Sequence, residues 1–162
     1  AINEVFSRSV EYDLFNELSN GQNYKKFLPE ILGKTSNDNI EKIHNLKKVF
    51  YLKYLKFAIK NDHLFRVIHS IKDTYIIALA TTASKKNAID ILTFFQVIDL
   101  FEIIVTQEDV KSLKPDPECY KKIMTECSIL PKNTIIFEDS KVGLKAARLS
   151  KASVFNVEIF NQ

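Results

Sequence analysis

The length, composition and charge of the chain restrict the classes of protein to which it can belong. Its 162 residues are 46% hydrophobic and 27% charged, with three Gly and two Cys. This composition predicts a globular fold with a buried core and excludes disordered, collagen-like and disulfide-scaffold proteins. The formal net charge is +3, from 23 basic and 20 acidic residues. The chain therefore lacks the large excess of positive charge that nucleic-acid-binding proteins use, and we expect no nucleic acid partner.

Neither the N-terminus nor the apolar segments indicate a membrane or secreted protein. Ala1-Ile2-Asn3-Glu4 has no basic region followed by an apolar run. The apolar stretches at 75–80 and 89–105 are short or interrupted by polar residues, so neither is expected to span a bilayer. Cys119 and Cys127 form no Cys-x-x-Cys pattern. We therefore expect a protein of the reducing cytoplasm without a membrane partner.

The first part of the chain has a purely helical pattern. From Ala1 to about Asp73 apolar residues recur at helical spacing, and no strand-like alternation occurs. Turn-forming and capping residues cluster at 21–23, at 33–36 and at 61–63. The pattern predicts three to five helices, the first of which begins near Ala1.

The second part alternates short β-rich runs with helical segments. The predicted strands are Tyr75 to Ala80, Glu102 to Thr106, Thr134 to Phe137 and Ser153 to Val157. Continuous apolar strands that alternate with amphipathic helices are typical of a parallel sheet covered on both faces. We therefore predict an α/β fold with a Rossmann-like core at residues 71–162, and a helical cap at residues 1–70.

The first predicted strand ends in hydroxyl side chains. Thr81 and Thr82 follow it, and Ser84 precedes a helix that begins at Lys85. Because ligands of such sheets bind at the carboxyl ends of the strands, these hydroxyls and the nearby backbone N–H groups suit a phosphate oxygen. The alternative is that Thr81 and Ser84 only end a strand and cap a helix.

The second predicted strand is followed by Lys114-Pro115-Asp116-Pro117. The two prolines stiffen this loop, so Lys114 could be presented at a fixed position. A fixed cation in a crevice stabilises phosphoryl charge. The alternative is a solvated lysine before a helix whose first turn contains Pro117.

The third predicted strand runs directly into two acidic residues, Glu138 and Asp139, followed by Ser140 and, three positions later, Gly143. Adjacent carboxylates at the end of a buried strand repel each other unless a cation or hydrogen bonds compensate. Hard oxygen ligands next to a phosphate site indicate Mg²⁺. The alternative is that Asp139 is a helix N-cap.

These three strand ends together resemble motifs two, three and four of the haloacid dehalogenase superfamily. The motifs are Thr81, Lys114-Pro115-Asp116-Pro117 and Glu138-Asp139-Ser140-x-x-Gly143. The chain is most similar to the branch of phosphatases and β-phosphoglucomutases, whose members carry a helical cap where residues 1–70 lie. The resemblance implies a Mg²⁺-dependent phosphoryl-transfer enzyme of small phosphorylated metabolites.

The resemblance also implies roles for the motif residues. Thr81 would hydrogen-bond the transferring phosphoryl group, Lys114 would neutralise the aspartyl phosphate, and Glu138 and Asp139 would hold Mg²⁺. The family's Asp-x-Asp motif, with its nucleophile and its general acid and base, does not occur in these 162 residues. We expect that motif and its central strand upstream of Ala1, and we expect the present chain to be inactive without them.

The cap offers few clues to the substrate. Ser36 stands where the mutase carries an Arg that binds the distal phosphate, which favours a phosphatase. Lys34 and Lys47 are candidate substrate contacts or ordinary surface residues. The alternatives are a sugar-phosphate mutase similar to β-phosphoglucomutase and a non-catalytic binding module of the same fold. For the oligomeric state we expect a monomer or weak dimer.

Overall fold

A computed structural model describes residues 1–7, 9–19 and 24–157 of the protein. Within these ranges there are eight α-helices and four β-strands. The helices are α1 Ile2–Phe6, α2 Tyr12–Ser19, α3 Tyr24–Leu32, α4 Asn37–Tyr54, α5 Asp62–Ile71, α6 Lys85–Phe94, α7 Glu118–Glu126 and α8 Lys141–Leu149. The strands are β1 Ala78–Ala80, β2 Ile103–Val105, β3 Ile135–Glu138 and β4 Ser153–Asn156. None of the helices in the described part of the chain combines the length and apolar character needed to cross a membrane.

Residues 1–58 form a compact helical unit that contains α1 to α4. Its core joins Phe27, Leu28 and Ile31 of α3 with Ile40 and Ile43 of α4. The spacing of three and four residues places these side chains on one face of each helix. Isolated helices of this length are only marginally stable in water, so the unit depends on the burial of that face for its stability.

The predicted breaks between helices can be compared with the structure at two of three places. Gly33 ends α3 with a left-handed φ of +74°, and its N–H donates to the Pro29 carbonyl at 2.9 Å. Glycine adopts this conformation without the steric cost that a Cβ would impose. Asn61 caps α5 by accepting a hydrogen bond from the Leu64 N–H at 3.0 Å. The predicted break at 21–23 lies outside the described residues.

The second compact unit covers residues 59–162 and contains all four described strands. α5 therefore groups with this unit, and the predicted boundary between cap and core near residue 70 remains a prediction. β1 pairs with β2 in parallel, with Leu79 opposite Ile104. β3 pairs with β4 in parallel, with Ile136 opposite Val154. Parallel strands separated by helices confirm the predicted α/β class.

The strands differ from their predicted bounds by one to three residues at individual ends. The largest difference is at β1, which begins at Ala78 rather than at Tyr75. The N–H groups of Thr74 and Tyr75 both donate to the Ile71 carbonyl, at 2.9 and 3.0 Å, so a turn that follows α5 takes up these residues. Local helix-end hydrogen bonds thus compete with strand pairing at this point.

The core of the second unit lies between the strands and helices α7 and α8. Its buried members are Val105, Cys119, Tyr120, Met124, Ile136, Ala146 and Ala147. Ala146 and Ala147 have no exposed surface, so the small side chains of α8 allow its backbone to approach the sheet closely. This packing fixes the carboxyl ends of β1 and β3, where the candidate site residues lie.

Candidate active site at the strand ends

The structure brings two of the predicted side chains into direct contact. Lys114 lies in the loop after β2, and Glu138 is the last residue of β3. The Lys114 Nζ donates to Glu138 Oε2 at 2.7 Å and to the carbonyl of Ala80, the last residue of β1, at 3.2 Å. The lysine therefore bridges the carboxyl ends of two strands that belong to different pairs.

The Lys114–Glu138 ion pair is buried, since only 9% of each side chain is exposed. Tyr120, in α7, contacts both partners: its hydroxyl donates to Glu138 Oε2 at 2.6 Å, and its ring centroid lies 4.8 Å from the Lys114 Nζ. Burial raises the pKa of Tyr120, and the neighbouring Glu138 carboxylate raises it further. The phenol is therefore a hydrogen-bond donor throughout the neutral pH range.

Both oxygens of Glu138 accept hydrogen bonds. Oε1 accepts from the Asp139 N–H at 3.1 Å, the Ser140 N–H at 3.0 Å and the Ser140 hydroxyl at 3.0 Å. Burial alone would raise the pKa of Glu138, but the hydrogen bonds from Lys114 and Tyr120 lower it to about 2. The carboxylate is thus ionised at neutral pH and held at both oxygens.

The absence of a side chain at Gly143 provides the space that the Glu138 carboxylate occupies. A Cβ built on Gly143 would overlap the carboxylate carbon and oxygens of Glu138. Gly143 lies in the first turn of α8, where its N–H donates to the Ser140 hydroxyl at 3.0 Å. The glycine of the fourth motif therefore has a steric reason, which is the close approach of helix and carboxylate.

Thr81 and Thr82 lie in the turn that follows β1. The Thr81 N–H continues the strand pairing by donating to the Val105 carbonyl at 2.9 Å, and its hydroxyl oxygen accepts from the Ala83 N–H at 3.1 Å. A threonine hydroxyl that accepts one bond keeps its hydrogen as a donor. Ser84 caps α6 by accepting from the Asn87 N–H at 3.3 Å, so the predicted capping role holds for Ser84.

Asp139 is the more exposed member of the predicted metal-binding pair. Partial desolvation raises the pKa of its carboxyl, and the adjacent Glu138 carboxylate raises it further. A bound cation would compensate that repulsion. Glu138 already accepts five protein hydrogen bonds, which limits its capacity to bind a metal ion. In the described part of the chain no three His, Cys, Asp or Glu side chains cluster closely enough to hold a metal by themselves.

Lys34 and Lys47 belong to the first compact unit. Lys34 follows Gly33 at the end of α3, and Lys47 lies in α4; both side chains are exposed. The Ser36 hydroxyl accepts from the Asn39 N–H at 3.3 Å, at the start of α4. Contacts of Lys34 and Lys47 with a substrate remain predictions.

The contacts that Tyr120 makes at the site were not predicted from the sequence. Tyr120 lies in the core and is 7% exposed. A buried tyrosine hydroxyl requires a polar partner, so a tyrosine in an apolar helix face indicates that a hydrogen-bond acceptor lies nearby. The partner could not be identified from the sequence because Glu138 is 18 positions away.

Comparison with known proteins places this arrangement in a family. The sequence matches the family model described as haloacid dehalogenase-like hydrolase over residues 5–157. A phosphorylated carbohydrates phosphatase of Thermotoga maritima is 32% identical over 117 residues, which cover 71% of this chain and 53% of that protein. Validoxylamine A 7'-phosphate phosphatase of Streptomyces hygroscopicus is 28% identical over 101 residues, which cover 62% of this chain and 46% of that protein.

A solved structure shows the same fold. The crystal structure of CbbY from Rhodobacter sphaeroides in complex with xylulose-(1,5)bisphosphate matches with a TM-score of 0.77 and 21% identity, over 94% of this chain and 75% of that chain. At this identity the likeness concerns the fold alone. The chain spans about half the length of the first curated relatives that it matches. With a family match that extends over residues 5–157, the chain belongs to the haloacid dehalogenase-like hydrolases.

Proposed function

We propose that the full protein is a Mg²⁺-dependent phosphatase that hydrolyses the phosphate monoester of a small metabolite through an aspartyl phosphate. The observation that carries the proposal is the buried Lys114 ammonium, which is fixed at the carboxyl ends of β1 and β3. This edge of a parallel sheet is where ligands of α/β proteins bind. The family match and the phosphatase relatives support the same reaction class.

Lys114 would act as the fixed cation for the phosphoryl group. An ammonium has three N–H donors, and two acceptors are recorded for it among the described residues, the Ala80 carbonyl and Glu138. One donor is therefore left for a phosphoryl oxygen. Since the side chain is only 9% exposed, its charge acts in a medium of low dielectric constant, where electrostatic stabilisation is strong.

Thr81 and Thr82 would bind the phosphoryl oxygens from the neighbouring strand end. The Thr81 hydroxyl oxygen is occupied by the Ala83 N–H, so the hydroxyl hydrogen can donate to the ligand. Hydroxyl donors near the start of a helix are suited to an anionic ligand. These contacts would orient the phosphoryl group next to the lysine.

Mg²⁺ would be held by Asp139, with Glu138 as its neighbour in the motif. Bound there, the ion would neutralise negative charge on the phosphoryl oxygens. Glu138 would contribute by orienting Lys114, and it could reach the ion directly only by giving up some of its protein donors. Asp139 and Lys114 thus have separable roles, one toward the ion and one toward the phosphoryl group.

The aspartate nucleophile and the general acid and base would come from a segment of the full protein that precedes Ala1. The strand pairing supports this proposal. Within the described residues β1 pairs only with β2, and β3 pairs only with β4, although Lys114 links the ends of β1 and β3. Two-stranded sheets have little stability by themselves, so a further parallel strand between β1 and β3 would complete the sheet and carry the aspartates to Lys114.

The substrate class of this proposal is a small phosphorylated metabolite, hydrolysed in the cytoplasm. The free thiols of Cys119 and Cys127 are compatible with that compartment. The helical residues 1–70 would be the cap, and Lys34 and Lys47 would contact the substrate from it. A mutase remains the second candidate; the helix-starting role of Ser36 at the position of the mutase's arginine favours the phosphatase.

The test compares phosphate release by the full-length protein with that of Lys114→Ala and Asp139→Asn. We expect both variants to lose about 100-fold or more of kcat, because each removes electrostatic stabilisation of the transition state. Lys111→Ala is the matched control, since this lysine is exposed in the same loop. Wild-type turnover in both variants would refute the assignment, and interconversion of sugar phosphates without phosphate release would indicate the mutase.

A further inference from the structure

We propose that Tyr120 is the positioning residue of Lys114. The inference rests on the proposed function insofar as Lys114 is the cation that meets the phosphoryl group. Tyr120 itself reaches Lys114 in two ways, through its ring and through Glu138. Tyr120 thus contacts both members of the buried ion pair.

The hydroxyl of Tyr120 determines where the Glu138 carboxylate points. Glu138 Oε2 accepts from both Tyr120, at 2.6 Å, and Lys114, at 2.7 Å. Its other oxygen is held by three donors from Asp139 and Ser140. Without the phenol, the oxygen that faces Lys114 would keep a single donor. Because the region is buried, a water molecule would not readily replace the lost hydrogen bond.

The ring of Tyr120 limits the position of the ammonium from another side. The distance of 4.8 Å between the Lys114 Nζ and the ring centroid lies within the range of about 6 Å for cation–π attraction. The ammonium is therefore surrounded by an aromatic face, a carboxylate and the Ala80 carbonyl. Its third donor is left with a defined direction, which is what a phosphoryl-binding cation requires.

A chemical labelling experiment on the full-length protein tests this role independently of turnover. The rate at which acetic anhydride acetylates Lys114 is measured by peptide mass spectrometry in the wild type and in Tyr120→Phe, which keeps the ring and removes the hydroxyl. Acetylation proceeds through the deprotonated amine and releases acetate and a proton, and we expect it to be about threefold faster or more at Lys114 in Tyr120→Phe, because the freed side chain samples exposed positions where the anhydride reaches it. In the same variant kcat should fall about tenfold while KM changes little, because the interaction matters in the transition state.

Two controls separate positioning from general destabilisation. Tyr75→Phe removes a hydroxyl from a tyrosine that is 60% exposed, and it should leave both rates unchanged. Met124→Val alters the core that α7 shares with the sheet and keeps the Tyr120 hydroxyl, so it reports the effect of reduced stability.

The outcomes are distinct for the proposal and for the proposed function. Wild-type labelling in Tyr120→Phe, equal acceleration in Met124→Val, or a wild-type kcat despite faster labelling would each overturn the positioning role. A wild-type protein that releases no phosphate would instead contradict the proposed function, and the labelling rates would still decide whether Tyr120 holds Lys114.

Discussion

Replacement of Gly143 by alanine should destabilise the protein although the residue lies inside a helix. At an ordinary interior position, alanine is more favourable than glycine by about 0.5–1 kcal/mol. Here the added methyl would overlap the Glu138 carboxylate, which is in turn fixed by Lys114 and Tyr120. The sign of the effect therefore reports whether the close contact between α8 and the ion pair exists.

The magnitude follows from what the methyl would displace. Separating one member of a buried ion pair from its partner costs about 3–5 kcal/mol. Subtracting the helix gain of alanine leaves a net loss of about 2–4.5 kcal/mol in the free energy of unfolding. Urea denaturation followed by circular dichroism measures this difference. Phosphate release should also fall in the folded variant, because Lys114 would lose its carboxylate partner.

Two comparisons make the experiment decisive. Lys145 is exposed two positions later in α8, so the pair Lys145→Gly and Lys145→Ala measures the ordinary preference for alanine in the same helix. In a Glu138→Ala background the obstacle is absent, and Gly143→Ala should then stabilise the protein by about 0.5–1 kcal/mol. A Gly143→Ala variant as stable as the wild type would refute the steric argument.

Substitutions at three further positions test other parts of the structure by urea denaturation. Hydrogen bonds from the Thr106 hydroxyl and N–H lower the pKa of Asp109, so the stability lost in Asp109→Ala should be greatest above an unfolded-state pKa of about 3.9. That difference should shrink as the pH falls through the lower folded-state pKa, and a difference independent of pH would contradict it. Gly33→Ala should lower the free energy of unfolding by about 1 kcal/mol because its φ is +74°. A Cβ at this position would have no neighbouring atom within 4 Å, so the loss would come from the backbone conformation and not from a clash. Gly33→Asn should cost less, and equal losses in the two variants would argue against a purely conformational origin. Ala147→Leu should cost about 1–3 kcal/mol because that side chain has no exposed surface, and unchanged stability would show that the core can expand there.

The order of helices and strands was predictable because each element carries its own period in the sequence. The alternation of apolar strands with amphipathic helices after residue 73 fixed the α/β class, and parallel pairing followed from it. The start of β1 was not predictable. Residues 75–77 are apolar enough for a strand, but a turn after α5 uses the N–H of Tyr75, and such competition between local and long-range hydrogen bonds leaves no clear pattern in the sequence.

The candidate site was predictable as a set of residues and less so as a set of contacts. The strand-end motifs indicated Lys114, Glu138 and Asp139 as candidates, but the ion pair joins residues 24 positions apart. Nothing in the local pattern shows that Glu138 points toward Lys114 while Asp139 reaches solvent. This difference depends on the packing of α7 and α8, which places Tyr120 and Gly143 around the carboxylate.

The bridge from Lys114 to the last carbonyl of β1 and the last side chain of β3 has a mechanical consequence. The ammonium that would bind the phosphoryl group also links the two strand pairs, since it donates to the end of one pair at 3.2 Å and to the end of the other at 2.7 Å. A widening of that gap would have to lengthen one of these bonds or draw the lysine out of its place. The position of the Lys114 ammonium is therefore coupled to the distance between the two strand pairs. A substitution that shifts either strand pair would displace the ammonium without contacting the site.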